Sequence, residues 1–160
     1  MSDNEPTFSR RKFGQYVLAA GGVSIIGVSA CAQPVSTKGT EIVVYKTASC
    51  GCCNQWVTYM RAAGYEVTTH NTETLGQYKA SVGVPAHLQS CHTAIIDGYV
   101  IEGHVPVREI ERLLLEKPDA VGLSVPGMVS GSPGMENGRF DPYDVILFAE
   151  HGNDTVYASY

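Results

Sequence analysis

Glu41-Ile42-Val43-Val44-Tyr45, Lys46-Thr47-Ala48-Ser49 and Cys50-Gly51-Cys52-Cys53 follow one another without a break, and Asn54 to Ala63 come next. The first five residues are β-branched and aromatic and read as a buried strand. From Asn54 to Ala63 the apolar residues Trp56, Val57, Met60 and Ala63 fall on one helical face, and Gly64 stops the helix. Three cysteines within four residues therefore stand between a strand and a helix. A helix N-terminus carries unpaired N–H groups and partial positive charge, which favour thiolate. Thiolate is both a nucleophile and a metal ligand, so this position alone does not choose between redox and metal chemistry.

Outward from this unit, Tyr65 to His70 alternates like a second strand and Thr74 to Val82 is a weak helix containing Gly76. Gly83-Val84-Pro85 breaks it. Thr93 to Asp97 is a third strand, Gly98 turns the chain, and Tyr99 to Glu102 returns as a fourth. Pro106 opens a last helix with Val107, Ile110, Leu113 and Leu114 inward, and Pro118 ends it. The order β-α-β-α-β-β-α predicts an α/β, thioredoxin-like fold. Its first two strands are parallel through a right-handed crossover, and its last two are antiparallel through a tight turn. From Pro118 to Tyr143 the chain is rich in Gly, Pro and Met and shows no periodicity. Val145 to Ala149 and Thr155 to Ser159 close the chain as a β-hairpin.

This topology gathers distant residues. The third strand runs antiparallel to the first, so Cys91-His92 begins beside the first strand's end. The fourth strand ends at the same edge, where Gly103-His104 stands. His70, His87 and His151 read as surface residues, and Met60 belongs to the helix core. Met128 and Met135 lie in a glycine-rich loop with no face to bury, which suits thioethers as soft ligands. Ten residues from Pro118 can span ~30 Å, and the preceding helix is ~18 Å long, so the loop can return to the cysteines. Thiolate and thioether ligands select Cu(I), with zinc as the competitor. Zinc takes four closed ligands and no Met. Thiols beyond a Cys50/Cys53 pair suit bridging and more than one Cu(I).

The whole chain sets the context. It has 160 residues, 44% apolar and 17% charged, enough for one domain with its own core. The formal charge is −5, and no basic stripe points to nucleic acid. Arg10-Arg11 precede Phe13 and an uncharged, mildly hydrophobic run to Ala30. This run is shorter than the ~20 residues of a membrane span. Residues 1–31 therefore read as a twin-arginine-type signal peptide and imply export to the periplasm or cell envelope. Val28-Ser29-Ala30-Cys31 resembles a lipobox, which would lipidate Cys31 and attach the protein to a membrane. Ordinary cleavage after Ala32 is the alternative. Residues 32–40 are a polar tether, and 41–160 form the domain.

Lys46-Thr47-Ala48-Ser49-Cys50-Gly51-Cys52-Cys53, Gly83-Val84-Pro85, Leu88 to Thr93, Asp97 to Pro106, Val125-Pro126-Gly127-Met128 and Gly131 to Glu136 together resemble the CopG-type copper-resistance proteins. The resemblance implies a thioredoxin-like fold, an envelope location, copper binding and a role in copper tolerance alongside other copper-handling envelope proteins. By position it implies Cys50, Cys52, Cys53, Cys91, His104, Met128 and Met135 as ligands, with His92 beside them. Two other readings stay open. One is a thiol–disulfide oxidoreductase using Cys50 as attacking and Cys53 as resolving thiol; the other is a structural zinc site. Against the first, Cys91-His92 takes the place where thioredoxins put a proline, and Cys52 would trap mixed disulfides. The residues point first to a metal-binding protein. As an enzyme it would be a copper or thiol oxidoreductase.

Overall fold

The computed structural model describes residues 39–160. The signal-peptide and lipobox readings, and most of the tether, lie outside these residues.

Strand β1, Glu41–Lys46, buries Ile42 and Val44 on one face. Helix α1, Gly51–Ala62, buries Cys53, Trp56, Val57 and Met60. Each large side chain removed from water here contributes about 1.5–3 kcal/mol. The helix begins three residues before the apolar periodicity does. Its start is set by a cap: Cys50 has extended dihedrals, and its Sγ accepts a hydrogen bond from the Cys53 N–H at 3.3 Å. Cys52 and Cys53 therefore lie in the first turn. Strand β2, Glu66–Asn71, pairs parallel with β1. Helix α2, Leu75–Ser81, buries Leu75 and, unexpectedly, Lys79.

Strands β3, His92–Ile96, and β4, Tyr99–Glu102, form an antiparallel hairpin through Asp97-Gly98. Both turn residues have positive φ, as a two-residue hairpin turn requires. β3 pairs antiparallel with β1, Lys46 opposite His92. Helix α3, Val107–Glu116, buries Ile110, Leu113 and Leu114.

Beyond α3 the structure differs from the sequence reading. The stretch without periodicity contains strand β5, Gly122–Ser124, which pairs parallel with β4. Three residues are too few to show a period of two. β6, Asp144–Phe148, pairs antiparallel with β5, and β7, Thr155–Ser159, pairs with β6. The C-terminal hairpin is thus part of the main sheet. The seven strands lie in the order β2-β1-β3-β4-β5-β6-β7.

The main core holds Ile42, Val44, Trp56, Met60, Ile101 and Leu113 among others. A smaller cluster holds Val84, Leu88, Val100 and Phe148. Val100 and Ile101 are neighbours on β4, so the two clusters cover opposite faces of the sheet.

Candidate metal centre

The cysteine-bearing end of the sheet is where β1 finishes, β3 begins and β4 finishes. Cys50, Cys52, Cys53 and Cys91 have sulfurs that all lie within 4.8 Å of one another. Cys50 and Cys53 are joined as a disulfide, with Cα atoms 5.4 Å apart, while Cys52 and Cys91 are free. Cys52 Sγ lies 3.6 Å from Cys50 Sγ and 3.8 Å from Cys91 Sγ. Cys53 Sγ is 3.7 Å from the Cys91 carbonyl oxygen. As a disulfide sulfur it has no proton to donate, so this is a packing contact.

Cys91, His92 and His104 form a second group that shares Cys91 with the first. His104 Nδ1 lies 2.7 Å from the Pro133 carbonyl oxygen. A carbonyl only accepts, so Nδ1 carries the proton and Nε2 presents its lone pair. Nε2 lies 2.9 Å from Cys91 Sγ, and the metal-free thiol donates to it. A second ring nitrogen anchored to a carbonyl is how metal-binding histidines are usually oriented. His92 Nδ1 is 3.4 Å from Cys91 Sγ. Its Nε2 is buried and has no hydrogen-bond partner among the described residues. The ring packs 4.5 Å from Trp56 and 5.0 Å from His104, centroid to centroid. Trp56 is fixed in turn by its Nε1–H, which donates to the Val105 carbonyl at 2.9 Å.

Burial sets the protonation of these groups. It pushes the Cys91 thiol up to about 12, with nearby Cys52 adding to the effect. Burial holds His92 well below the usual imidazole range, aided by His104, Lys79 and Lys46. Burial also lowers His104, against the opposing pull of the Pro133 carbonyl and Glu136. The metal-free site thus holds neutral imidazoles and a protonated Cys91. A soft cation that displaces the thiol protons would find sulfur and nitrogen donors already converged.

The methionine loop returns to this end of the sheet. Gly127 pairs with Ser90 as a parallel bridge, its N–H donating to the Gln89 carbonyl at 3.1 Å. Met128 therefore follows the bridge alongside Cys91, and it is 63% exposed. Met135 is half-buried in a turn closed by Gly131 N–H to Met135 O and Met135 N–H to Ser132 O. Gly134 in that turn has φ +86°, and a Cβ there would lie 2.8 Å from the Trp56 nitrogen and 3.0 Å from the Cys52 carbonyl. Only glycine lets this loop lie directly on the first turn of α1. Glu136 pins it there, accepting from Tyr59 Oη at 2.7 Å and from the Gly134 N–H at 2.9 Å.

The structure thus brings Cys50, Cys52, Cys53, Cys91, His92 and His104 together. It sets Met128 and Met135 in chain segments packed against Ser90 and Cys52. His70, His87 and His151 are exposed, as expected. Sequence reasoning missed the buried charges beside the site: Lys46, Lys79 and Glu102. A signal existed for two of them. Glu102 shares a strand face with Val100, and Lys79 lies four residues after Leu75 on the helix face that is buried.

Comparison with known proteins follows the same residues. The family model described as "Protein of unknown function, DUF411" matches residues 88–135, which hold Cys91, His92, His104, Met128 and Met135. No curated protein matches. The solved structure of a copper resistance protein CopG, Form 2, is 44% identical and superposes with a TM-score of 0.74, covering 77% of this chain and 99% of its own. Form 1 is 43% identical with a TM-score of 0.73, covering 77% and 98%. With that identity over nearly the whole of the solved protein, the chain belongs to the CopG family of copper resistance proteins.

Proposed function

We propose that this chain is an exported copper(I)-binding protein that sequesters Cu(I) or hands it on in the periplasm or cell envelope, and so contributes to copper resistance. The observation that carries the proposal is the shared Cys91. Four sulfurs form one group, and Cys91 with two imidazoles forms a second. A thiolate common to two donor groups suits more than one Cu(I), because thiolates bridge soft ions. The donor set fits: His104 presents a lone pair at Nε2, and His92 has a buried nitrogen without a partner among the described residues. With the Cys50–Cys53 disulfide reduced, Cys50, Cys52, Cys53, Cys91 and His104 are the proposed ligands, with His92, Met128 and Met135 assisting. The order β1-α1-β2-α2-β3-β4-α3, with strands in the order β2-β1-β3-β4, supports a thioredoxin-like reading of the core. Elemental analysis of protein matured in the envelope tests the proposal. Copper in excess of one ion per chain is the expected result. A tight one-to-one zinc complex that refuses copper would replace it with the structural-zinc reading.

A second reading has one observation in its favour. Cys50 and Cys53 are already a disulfide in a helix-capping position, as a dithiol oxidoreductase would require. In that reading Cys52 and Cys91 are bystanders. Disulfide-reductase activity retained in Cys52→Ser and Cys91→Ser proteins would favour it.

A further inference from the structure

We propose that Glu102, neutralised by Lys79, is a positioning residue that holds Cys91 in register with His104 for metal binding. The inference rests on the reading of Cys91 and His104 as copper ligands. The Glu102 carboxylate is fully buried and takes three donors: the Ser90 backbone N–H at 2.6 Å, Thr93 Oγ1 at 2.6 Å and Lys79 Nζ at 2.5 Å. Ser90 and Thr93 are the residues on either side of Cys91-His92, so one carboxylate fixes both ends of that pair. The β3–β4 pairing ends at Thr93 opposite Glu102. Ser90 has run past it, and the side chain of Glu102 supplies the acceptor that its N–H needs.

The backbone of Glu102 carries the link on to His104. His104 follows Glu102 by two residues, and Gly103 between them donates its N–H to the His92 carbonyl at 2.9 Å. Gly103 has φ +72°, and a Cβ there would strike the Ser90 side chain and lie 2.7 Å from the Val125 carbonyl oxygen. Ser90, Gly103 and Glu102 are thus interlocked, and Cys91 and His104 project from the two sides of that lock. Lys79 also reaches Thr93 Oγ1 at 3.0 Å, so the network closes on itself.

Stability alone does not account for the pair. Taking a carboxylate and an ammonium out of water is costly, and apolar residues of similar volume often hold a fold as well or better. A carboxylate offers acceptor capacity for several donors at once, which neither an apolar side chain nor an amide in the same place can match. The charge pair is what this geometry needs in order to pin Ser90 and Thr93 together.

The test uses the matured full domain, reduced, in four forms: wild type, Glu102→Asp, the double variant Lys79→Met/Glu102→Leu, and Thr93→Val. Glu102→Asp keeps the charge while withdrawing the carboxylate from Ser90. The double variant removes both charges while keeping apolar volume. Three quantities are read: melting temperature, the alkylation rate of Cys91 relative to Cys52 in metal-free protein, and Cu(I) affinity with the copper X-ray absorption spectrum. The expected result is folded variants in which Cys91 alkylation changes severalfold. Cu(I) affinity should fall about 10- to 100-fold for Glu102→Asp and the double variant, as when an orienting partner of a ligand is lost, and less for Thr93→Val. A folded Glu102→Asp or double variant with wild-type Cys91 reactivity, copper affinity and spectrum would overturn the inference. Wild-type protein that takes up no Cu(I) would defeat the copper reading itself, and the alkylation rates would still decide whether Glu102 positions Cys91.

Discussion

Cys91 Sγ lies 2.9 Å from His104 Nε2, and the far nitrogen of that imidazole is held by the Pro133 carbonyl. The ring therefore cannot turn away from the sulfur without breaking its anchor. Replacing His104 with Phe keeps the packing against His92 and removes the nitrogen. Cu(I) affinity, measured by competition with a chromophoric chelator, should fall tenfold or more, while the fold survives in circular dichroism.

Cys52 separates the two functional readings. It lies within 4 Å of both Cys50 Sγ and Cys91 Sγ, at 3.6 and 3.8 Å. If the sulfurs act as one cluster, Cys52→Ser should lower copper stoichiometry as sharply as Cys50→Ser. Full copper loading together with full disulfide-reductase activity in Cys52→Ser would reverse our choice.

The protonation states predict a pH profile. Cys91 is pushed up to about 12, so as a copper ligand it would have to release a proton at neutral pH. It should contribute one unit of log affinity per pH unit, rising with pH. Stability of the reduced, metal-free protein follows the linkage signs. Buried neutral His92 and His104 have lowered pKa values, so stability should fall as pH drops below the ordinary imidazole value of 6.5. The raised Cys91 thiol stabilises fully below its ordinary value of 9.0, and that contribution is lost as pH climbs from there toward about 12. Melting temperature against pH should be greatest between these limits.

Met128 and Met135 are tested by Leu, which keeps volume and removes sulfur. Met128 is 63% exposed, so Met128→Leu should change stability by less than about 0.5 kcal/mol. Met135 is half-buried, and Met135→Leu should cost less than about 1.5 kcal/mol. Ligand roles predict weaker Cu(I) binding in both. Unchanged affinity would remove both from the ligand set.

Export is testable through the leader. Arg10→Lys with Arg11→Lys should leave the protein in the cytoplasm, as judged by cell fractionation. Cys31→Ala should release it from membranes or block maturation if the lipobox reading holds.

How much of this was legible can be traced to particular residues. β1 and α1 announce themselves because Ile42, Val44, Trp56, Val57 and Met60 repeat with the right periods. The convergence of Cys91 and His104 on the first cluster was readable because an antiparallel strand order sets which ends meet. Strand β5 was not, since Gly122-Leu123-Ser124 is too short for a period and owes its conformation to β4 and β6 on either side. The start of α1 was missed by three residues because a cap, Cys50, sets it, and no apolar face marks it. The Lys79–Glu102 pair was missed although both residues fall on buried faces, because a charged residue in a sequence reads as surface until its partner is found.

The bond between Cys50 and Cys53 carries a thermodynamic consequence for copper. Among the described residues the oxidised chain offers only Cys52 and Cys91 as thiols. On the proposed ligand set, copper held by all four sulfurs would bind the reduced chain in preference to the oxidised one, and the two equilibria would be reciprocal. Each tenfold preference for the reduced chain raises the reduction potential of the Cys50–Cys53 couple by about 30 mV. On that reading one set of atoms would respond to two concentrations: an oxidising compartment would loosen the hold on the metal, and abundant metal would protect the thiols from oxidation.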